Sequence, residues 1–147
     1  MPKEVFSQAE LTSAAALYTE RRLVRFHDVD AASIVFYPRV LEYFSDAYMG
    51  FFSARGHDVA RALATETYGL PLAHAEADYT RPLRFGDPIE VAIVGAKVGA
   101  TSFRVGYRVT KEGGDVAALG QTVHVCIDRK LFRAIPIPDA LRKVLEA

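Results

Sequence analysis

One cysteine, Cys126, stands alone in 147 residues, so no internal disulfide can form, and a reducing, cytoplasmic compartment is expected. Cys126 lies in the apolar run from Thr122 to Ile127 and reads as a small buried hydrophobe rather than a nucleophile. With four scattered histidines beside it, the chain has no metal-ligand spacing, so no metal is expected. Excess charge of either sign is also lacking. The 18 basic and 18 acidic residues cancel, there is no basic stripe, and nucleic-acid binding is not expected. No apolar run is long enough for a transmembrane helix and no secretory leader is visible, so membrane insertion is not expected either. Repeats, low-complexity tracts and Pro/Ser-rich linkers are missing, and residues 1–147 read as one domain with a substantial core.

What is present is hydrophobic patterning of two kinds. Val40, Leu41, Phe44, Ala47, Tyr48, Phe51 and Phe52 recur at helical spacing, which predicts a long helix. It starts at Tyr37 or Pro38, since proline suits the first helical position, and it stops at Arg55-Gly56. Gly50 inside it points to close packing on a sheet. From Leu70 the period changes to two. Strands are predicted over Leu70–Thr80, Pro88–Ala96, Thr101–Thr110 and Ala117–Ile127, with an earlier one over Arg21–His27. Phe85-Gly86-Asp87, Gly99-Ala100 and Gly113-Gly114 mark short turns, hence antiparallel hairpins. Short helices are expected near His57–Thr67 and Pro138–Leu145. Residues 1–19 form an N-terminal arm. Its Ser7–Glu10 capping-box pattern predicts a short helix over about Gln8–Leu17, with a loose tail as the alternative. The simplest packing is an α+β domain in which a curved antiparallel sheet wraps around one long central helix.

The most informative stretch runs from His27 through Asp28 and Asp30 to Val35-Phe36-Tyr37-Pro38. It sets two carboxylates ahead of a strongly apolar helix. An acid beside a helix N-terminus can act on an ester-type carbonyl. The acid supplies a base or nucleophile, and the free N–H groups of the first turn take the oxyanion. The Tyr37 N–H is the donor to consider, because Pro38 offers none.

Asp28-Val29-Asp30-Ala31-Ala32-Ser33-Ile34-Val35-Phe36-Tyr37 resembles the signature D-x-D-x-x-G-[IV]-V-[YWF]-[YFH] of the 4-hydroxybenzoyl-CoA thioesterase family, of hotdog fold. The resemblance covers about residues 20 to 147, and its closing strand is echoed by Ile127-Asp128 and Arg133-Ala134-Ile135-Pro136-Ile137-Pro138. It implies an acyl-CoA thioesterase with Asp30 as the catalytic acid and the backbone N–H of Tyr37 polarising the thioester carbonyl. Val35, Phe36 and Pro38 would border the substrate. It also implies no cofactor beyond the CoA of the substrate, and a homodimer or homotetramer whose sheets join edge to edge with sites between subunits. Two positions depart from the pattern: Ser33 replaces the usual glycine, and Gly99-Ala100 replaces the pair of arginines that some members use on CoA phosphates.

Other residues enter as candidates. His74 and Glu76 share one strand face and are candidates for the acyl pocket or the dimer interface. Arg129, Lys130 and Arg133 near the last turn, with Arg81 and Arg84 as a second cluster, are candidates for nucleotide phosphate. Asp28, His27 and His124 read as structural, and Glu42 and Asp46 as a solvated helix face. Two other functions fit the same sequence. One is a hydratase or dehydratase, which would need a histidine paired with the acid; the other is a non-catalytic acyl-CoA binding module.

Overall fold

A computed structural model describes residues 4–147. Its centre is helix α2 (Tyr37–Ala54), about 27 Å long at 1.5 Å per residue. Val40, Tyr43, Phe44, Ala47, Tyr48, Phe51 and Phe52 form its buried side, as their spacing predicts. Each fully buried large side chain among them is worth about 2 kcal/mol. Gly50 is small for a reason: a Cβ there would collide with the Tyr18 phenol, so glycine lets the first strand approach the helix.

The buried side of α2 faces an antiparallel sheet of five strands in the order β1-β4-β5-β6-β3, built from β1 (Tyr18–Leu23), β3 (Leu72–Tyr79), β4 (Pro88–Val98), β5 (Ser102–Lys111) and β6 (Val116–Val125). Phe103, Val105, Tyr107 and Val109 of β5 point at α2, and Tyr107 stacks on Phe44 at 4.5 Å. Helix α1 (Gln8–Ser13), helix α3 (Val59–Thr65), the two-stranded pair β2 (Tyr68–Gly69) with β7 (Ile127–Asp128), and helix α4 (Asp139–Glu146) complete the chain. Among the described residues no helix is long and apolar enough to cross a membrane.

Several boundaries differ from expectation. The first strand is Tyr18–Leu23 rather than Arg21–His27. Its register on β4 runs from Tyr18 opposite Ile93 to Leu23 opposite Pro88, and then Asp28 Oδ2 accepts the Arg25 N–H and folds the chain into a 3-10 turn at Phe26–Asp28. The predicted strand Ala117–Ile127 is two pieces. The Cys126 N–H leaves the ladder for the Thr101 carbonyl, so β6 ends at Val125 and β7 pairs elsewhere.

The arm is neither a longer helix nor a loose tail. Its capping box forms between Ser7 and Glu10, but the helix stops at Ser13, where the Arg108 guanidinium takes the carbonyls of Leu11, Thr12 and Ala14 at 2.9–3.0 Å. Phe6 and Leu11 are buried on the sheet face opposite α2, where Gly106 leaves room for both rings and methyls. Gln121 bonds both the N–H and the C=O of Phe6, at 3.1 and 3.2 Å. This cover explains why the apolar alternation Leu119-Gln121-Val123 faces away from α2: the sheet is buried on both sides.

Phe6→Ala is therefore expected to cost up to about 3 kcal/mol in denaturant unfolding, at the low end for a core phenylalanine because the arm can peel away. Amide exchange should rise at Leu11 and Ala14, whose N–H groups are bonded within the arm, before it rises in β5.

Candidate active site

Asp28 and Asp30 lie two residues apart and meet opposite environments. Asp28 is buried, at 3% exposure. Its Oδ2 accepts the Arg25 N–H at 3.0 Å and the Tyr43 O–H at 2.8 Å, and its own carbonyl accepts the Phe36 N–H at 2.8 Å. Burial opposes ionisation, but these hydrogen bonds and the His27 and Arg22 charges outweigh it and hold the carboxyl below the usual carboxylate range. Tyr43, in the mirror situation, has its phenol pushed up by burial and by Asp28. Asp28 is a structural clasp between the 3-10 turn, the start of α2 and its second turn.

Asp30 is exposed at the tip of a small hairpin. Val29 bridges Val35, the Asp30 N–H donates to the Ile34 carbonyl, and the Ser33 N–H donates back to Asp30, each of the latter at 2.9 Å. Ser33 closes this turn at φ +66°, the left-handed conformation in which the related signature carries glycine. Asp30 Oδ1 accepts the Ala32 N–H at 2.8 Å, and Oδ2 has no protein partner among the described residues.

Helix α2 begins directly behind this hairpin, and its N-terminus is bare. Its N-cap, Phe36, has no side-chain cap, and no acid stands in the first turn. By contrast, α1 and α3 are capped by Ser7 and Asp58. The longest helix thus keeps its positive end open to an anion. The Tyr79 phenol bonds the Tyr37 carbonyl at 2.8 Å and fixes this first turn to β3. A cavity of about 340 Å³ opens here, lined by Val35, Tyr37, Val40, Tyr79 and Arg81 among others. Further along α2 a second cavity of about 250 Å³ lies between α2 and β3, with Leu41, Ser45, Met49, Ala75, Thr122 and His124 on its walls.

The remaining candidates are dispersed. His74 and Glu76 bond each other at 3.1 Å on the face of β3 that pairs in register with Val123 and Gln121, the face turned from α2. They line neither of these two cavities. The pairing parity decides this. Arg129 bonds the Leu63 and Glu66 carbonyls at the C-terminal end of α3, so it closes a helix rather than waiting for phosphate. Lys130 and Arg133 sit on the same Asp128-anchored turn, toward the far end of α2 from Asp30 in the same chain. Arg81, from the second basic cluster, is the cation at the cavity beside Tyr37. Asp46 pairs with Arg22 at 2.8 Å and Glu42 with Arg39 at 2.9 Å. Tyr79 and Met49 escaped the sequence reading, because an exposed strand tyrosine and a helix methionine carry no motif.

Over residues 24–145 the chain matches the thioesterase-like superfamily. It belongs to that superfamily. A 1,4-dihydroxy-2-naphthoyl-CoA hydrolase from Synechococcus elongatus is 32% identical over 130 residues, which are 88% of this chain and 95% of that protein. Among solved structures, a 1,4-dihydroxy-2-naphthoyl-CoA thioesterase from Synechocystis superposes with a TM-score of 0.82 at 26% identity, covering 87% of this chain and 94% of its own. A gentisyl-coenzyme A thioesterase does so with a TM-score of 0.77 at 26% identity, covering 87% and 99%. The fold of this thioesterase is therefore the expected hotdog, helix against antiparallel sheet.

The clasp makes a stability prediction for this thioesterase. Asp28→Asn should lower unfolding free energy by about 2 kcal/mol, the worth of hydrogen bonds to a buried charge. Because the folded-state pKa of Asp28 is depressed, its contribution is present above the unfolded carboxylate value and is lost as pH falls through the folded one. Below about pH 4 the stability difference between wild type and Asp28→Asn should shrink, as read from denaturant midpoints across pH.

Proposed function

We propose that this thioesterase hydrolyses an aroyl-CoA thioester to the free acid and CoA, with Asp30 as the catalytic carboxylate and the Tyr37 N–H as oxyanion donor. The observation that carries the reading is the pairing of an exposed carboxylate with one unengaged oxygen and the uncapped start of a buried helix. With the acyl carbonyl oxygen against the Tyr37 N–H, charge that develops on that oxygen meets a donor already in position, in the field of the helix end.

Two balanced routes fit this geometry. In one, Asp30 Oδ2 adds to the carbonyl carbon, the C–S bond breaks, and the thiolate leaves as a mixed anhydride forms; water then cleaves the anhydride and restores Asp30. In the other, Asp30 takes a proton from water as the water oxygen adds, and the thiolate leaves with that proton. Neither route calls on a metal or a redox cofactor. Loss of one oxyanion donor of this kind costs about 3 kcal/mol in barrier.

The aromatic preference rests on the similar proteins, whose substrates are named as naphthoyl and gentisyl thioesters. Arg81 at the cavity mouth is our candidate for a CoA phosphate contact. A second copy is proposed to pair along β3, an uncovered edge strand whose Leu72 and Tyr79 are exposed. The hydratase alternative lacks support, since His27 lies 3.7 Å from Asp28 Oδ1, beside the structural carboxylate, and is not paired with Asp30.

The test is thiol release from a panel of aliphatic and aromatic acyl-CoAs. Turnover by wild type should fall at least about a hundredfold in a folded Asp30→Asn variant, the scale of losing a catalytic acid or base. Equal rates in both would remove Asp30 from the site. Tight acyl-CoA binding without turnover would favour the binding-module reading.

A further inference from the structure

The dipeptide Arg-Phe occurs twice in the chain, as Arg25-Phe26 and Arg84-Phe85, and the fold brings the two copies together. The Val24 N–H donates to the Asp87 carbonyl at 3.0 Å, and the Val24 carbonyl accepts the Gly86 N–H at 2.9 Å. These bonds clamp the turn after β1 to the loop before β4. The two phenyl rings then meet each other, with 5.7 Å between centroids, but the core does not cover them. Phe26 is 72% exposed and Phe85 64%, and Leu23, at the end of β1 opposite Pro88, is 59% exposed. Three large apolar side chains held out in water on one end of the molecule mark a surface that meets another molecule or phase.

The arginines set the character of what it meets. Arg25 and Arg84 are exposed and have no ion-pair partner among the described residues. The carboxylates three residues beyond each are engaged: Asp28 in its clasp, and Asp87 by the Arg84 N–H at 2.8 Å and Lys111 at 3.6 Å. Arg81, also exposed, stands on the same loop. A chain of zero net charge thus carries a local cationic rim around its exposed rings. Two such faces would repel each other. A second copy paired along β3 also leaves this end open, because β1 and β3 are opposite edges of the sheet. The rings stand on two loops and line neither cavity along α2. A protein partner would need a pocket shaped to receive them, whereas a fluid anionic interface needs none; phenylalanine and leucine flanked by arginine is the composition of an interfacial anchor.

We infer that Phe26 and Phe85, with Leu23, Arg25 and Arg84 around them, form a docking face for an anionic phospholipid surface. The contact is peripheral, with the rings at the boundary between headgroups and acyl chains. The face is firmly joined to the candidate active site. Asp28 ties the Phe26 turn to α2, and the Leu83 carbonyl accepts the Val35 N–H at 2.8 Å beside the cavity at Tyr37. Docking therefore holds that cavity near the bilayer, where an aromatic acid leaving it can partition. That consequence rests on the thioester reading; the docking itself does not.

The test is co-sedimentation of the full chain with vesicles of phosphatidylcholine alone and of equal parts phosphatidylcholine and phosphatidylglycerol. Wild type should sediment with the anionic vesicles, stay free of the neutral ones, and be released by high salt. The double variants Phe26→Ser/Phe85→Ser and Arg25→Gln/Arg84→Gln should each weaken partition by about tenfold or more. The chain has no tryptophan, so Phe26→Trp supplies a single fluorescent reporter that serves if the serine variant fails to fold. Its emission should shift to the blue on anionic vesicles only. Binding that is equal in wild type and both double variants, or a reporter whose emission does not move, overturns the lipid face. So does the absence of vesicle binding, which leaves the rings to an acidic protein. Sedimentation velocity addresses the second copy: a wild-type assembly that dissociates in Phe26→Ser/Phe85→Ser assigns the rings to a subunit contact and overturns the inference.

Discussion

The hydrogen bonds of one buried carboxylate set the position of everything at the site. Asp28 ties the Arg25 N–H, the Tyr43 hydroxyl and, through its own carbonyl, the Phe36 N–H. Those three partners belong to the turn after β1, the second turn of α2 and the residue before α2. With them joined, the hairpin that carries Asp30 has no freedom to swing relative to the helix end. The Tyr79 bond to the Tyr37 carbonyl adds a second anchor from the sheet. The helix itself is held by its apolar side, with Gly50 letting β1 close against it.

Two aspartates of one short motif therefore differ in character because their surroundings differ. Asp28 is spent on structure, and its low pKa is a consequence of the donors that surround it. Asp30 has a single backbone donor and an oxygen left over. The uncapped start of α2 has the complementary character, since its N–H groups and dipole favour negative charge that neither a capping side chain nor an acid of its first turn supplies. A thioester carbonyl developing an oxyanion fits that vacancy in charge, and the superfamily to which the chain belongs carries out such hydrolysis.

Features set by local spacing were legible in the sequence. The helix from Tyr37, the alternation of Phe103, Val105, Tyr107 and Val109, and the hairpin turns all depend on neighbours within one element. The motif around Asp30 was legible for the same reason. Features set by pairing were not. Within Leu70–Thr80 the small alanines mark the side that a helix can approach, and Ala75 and Ala77 do face α2, but the bulge between Leu72 and His74 that brings Leu72 to the same cavity has no local signal. Leu119, Gln121 and Val123 looked like a core face, yet Thr122 and His124 are the residues beneath the helix, because the arm covers the other side of the sheet. Arg129 looked free for phosphate, and only the tertiary position of α3 shows its guanidinium already engaged.

The central claim is that the start of α2 polarises the substrate carbonyl. It is tested most directly by the carbonyl stretch of a 13C-labelled aroyl-CoA bound to Asp30→Asn, read by Raman or infrared difference spectroscopy. The account predicts a band below its frequency in water, because donors at the Tyr37 end draw charge onto the oxygen even without the catalytic carboxylate. A bound substrate whose carbonyl band stays at the aqueous frequency would contradict it.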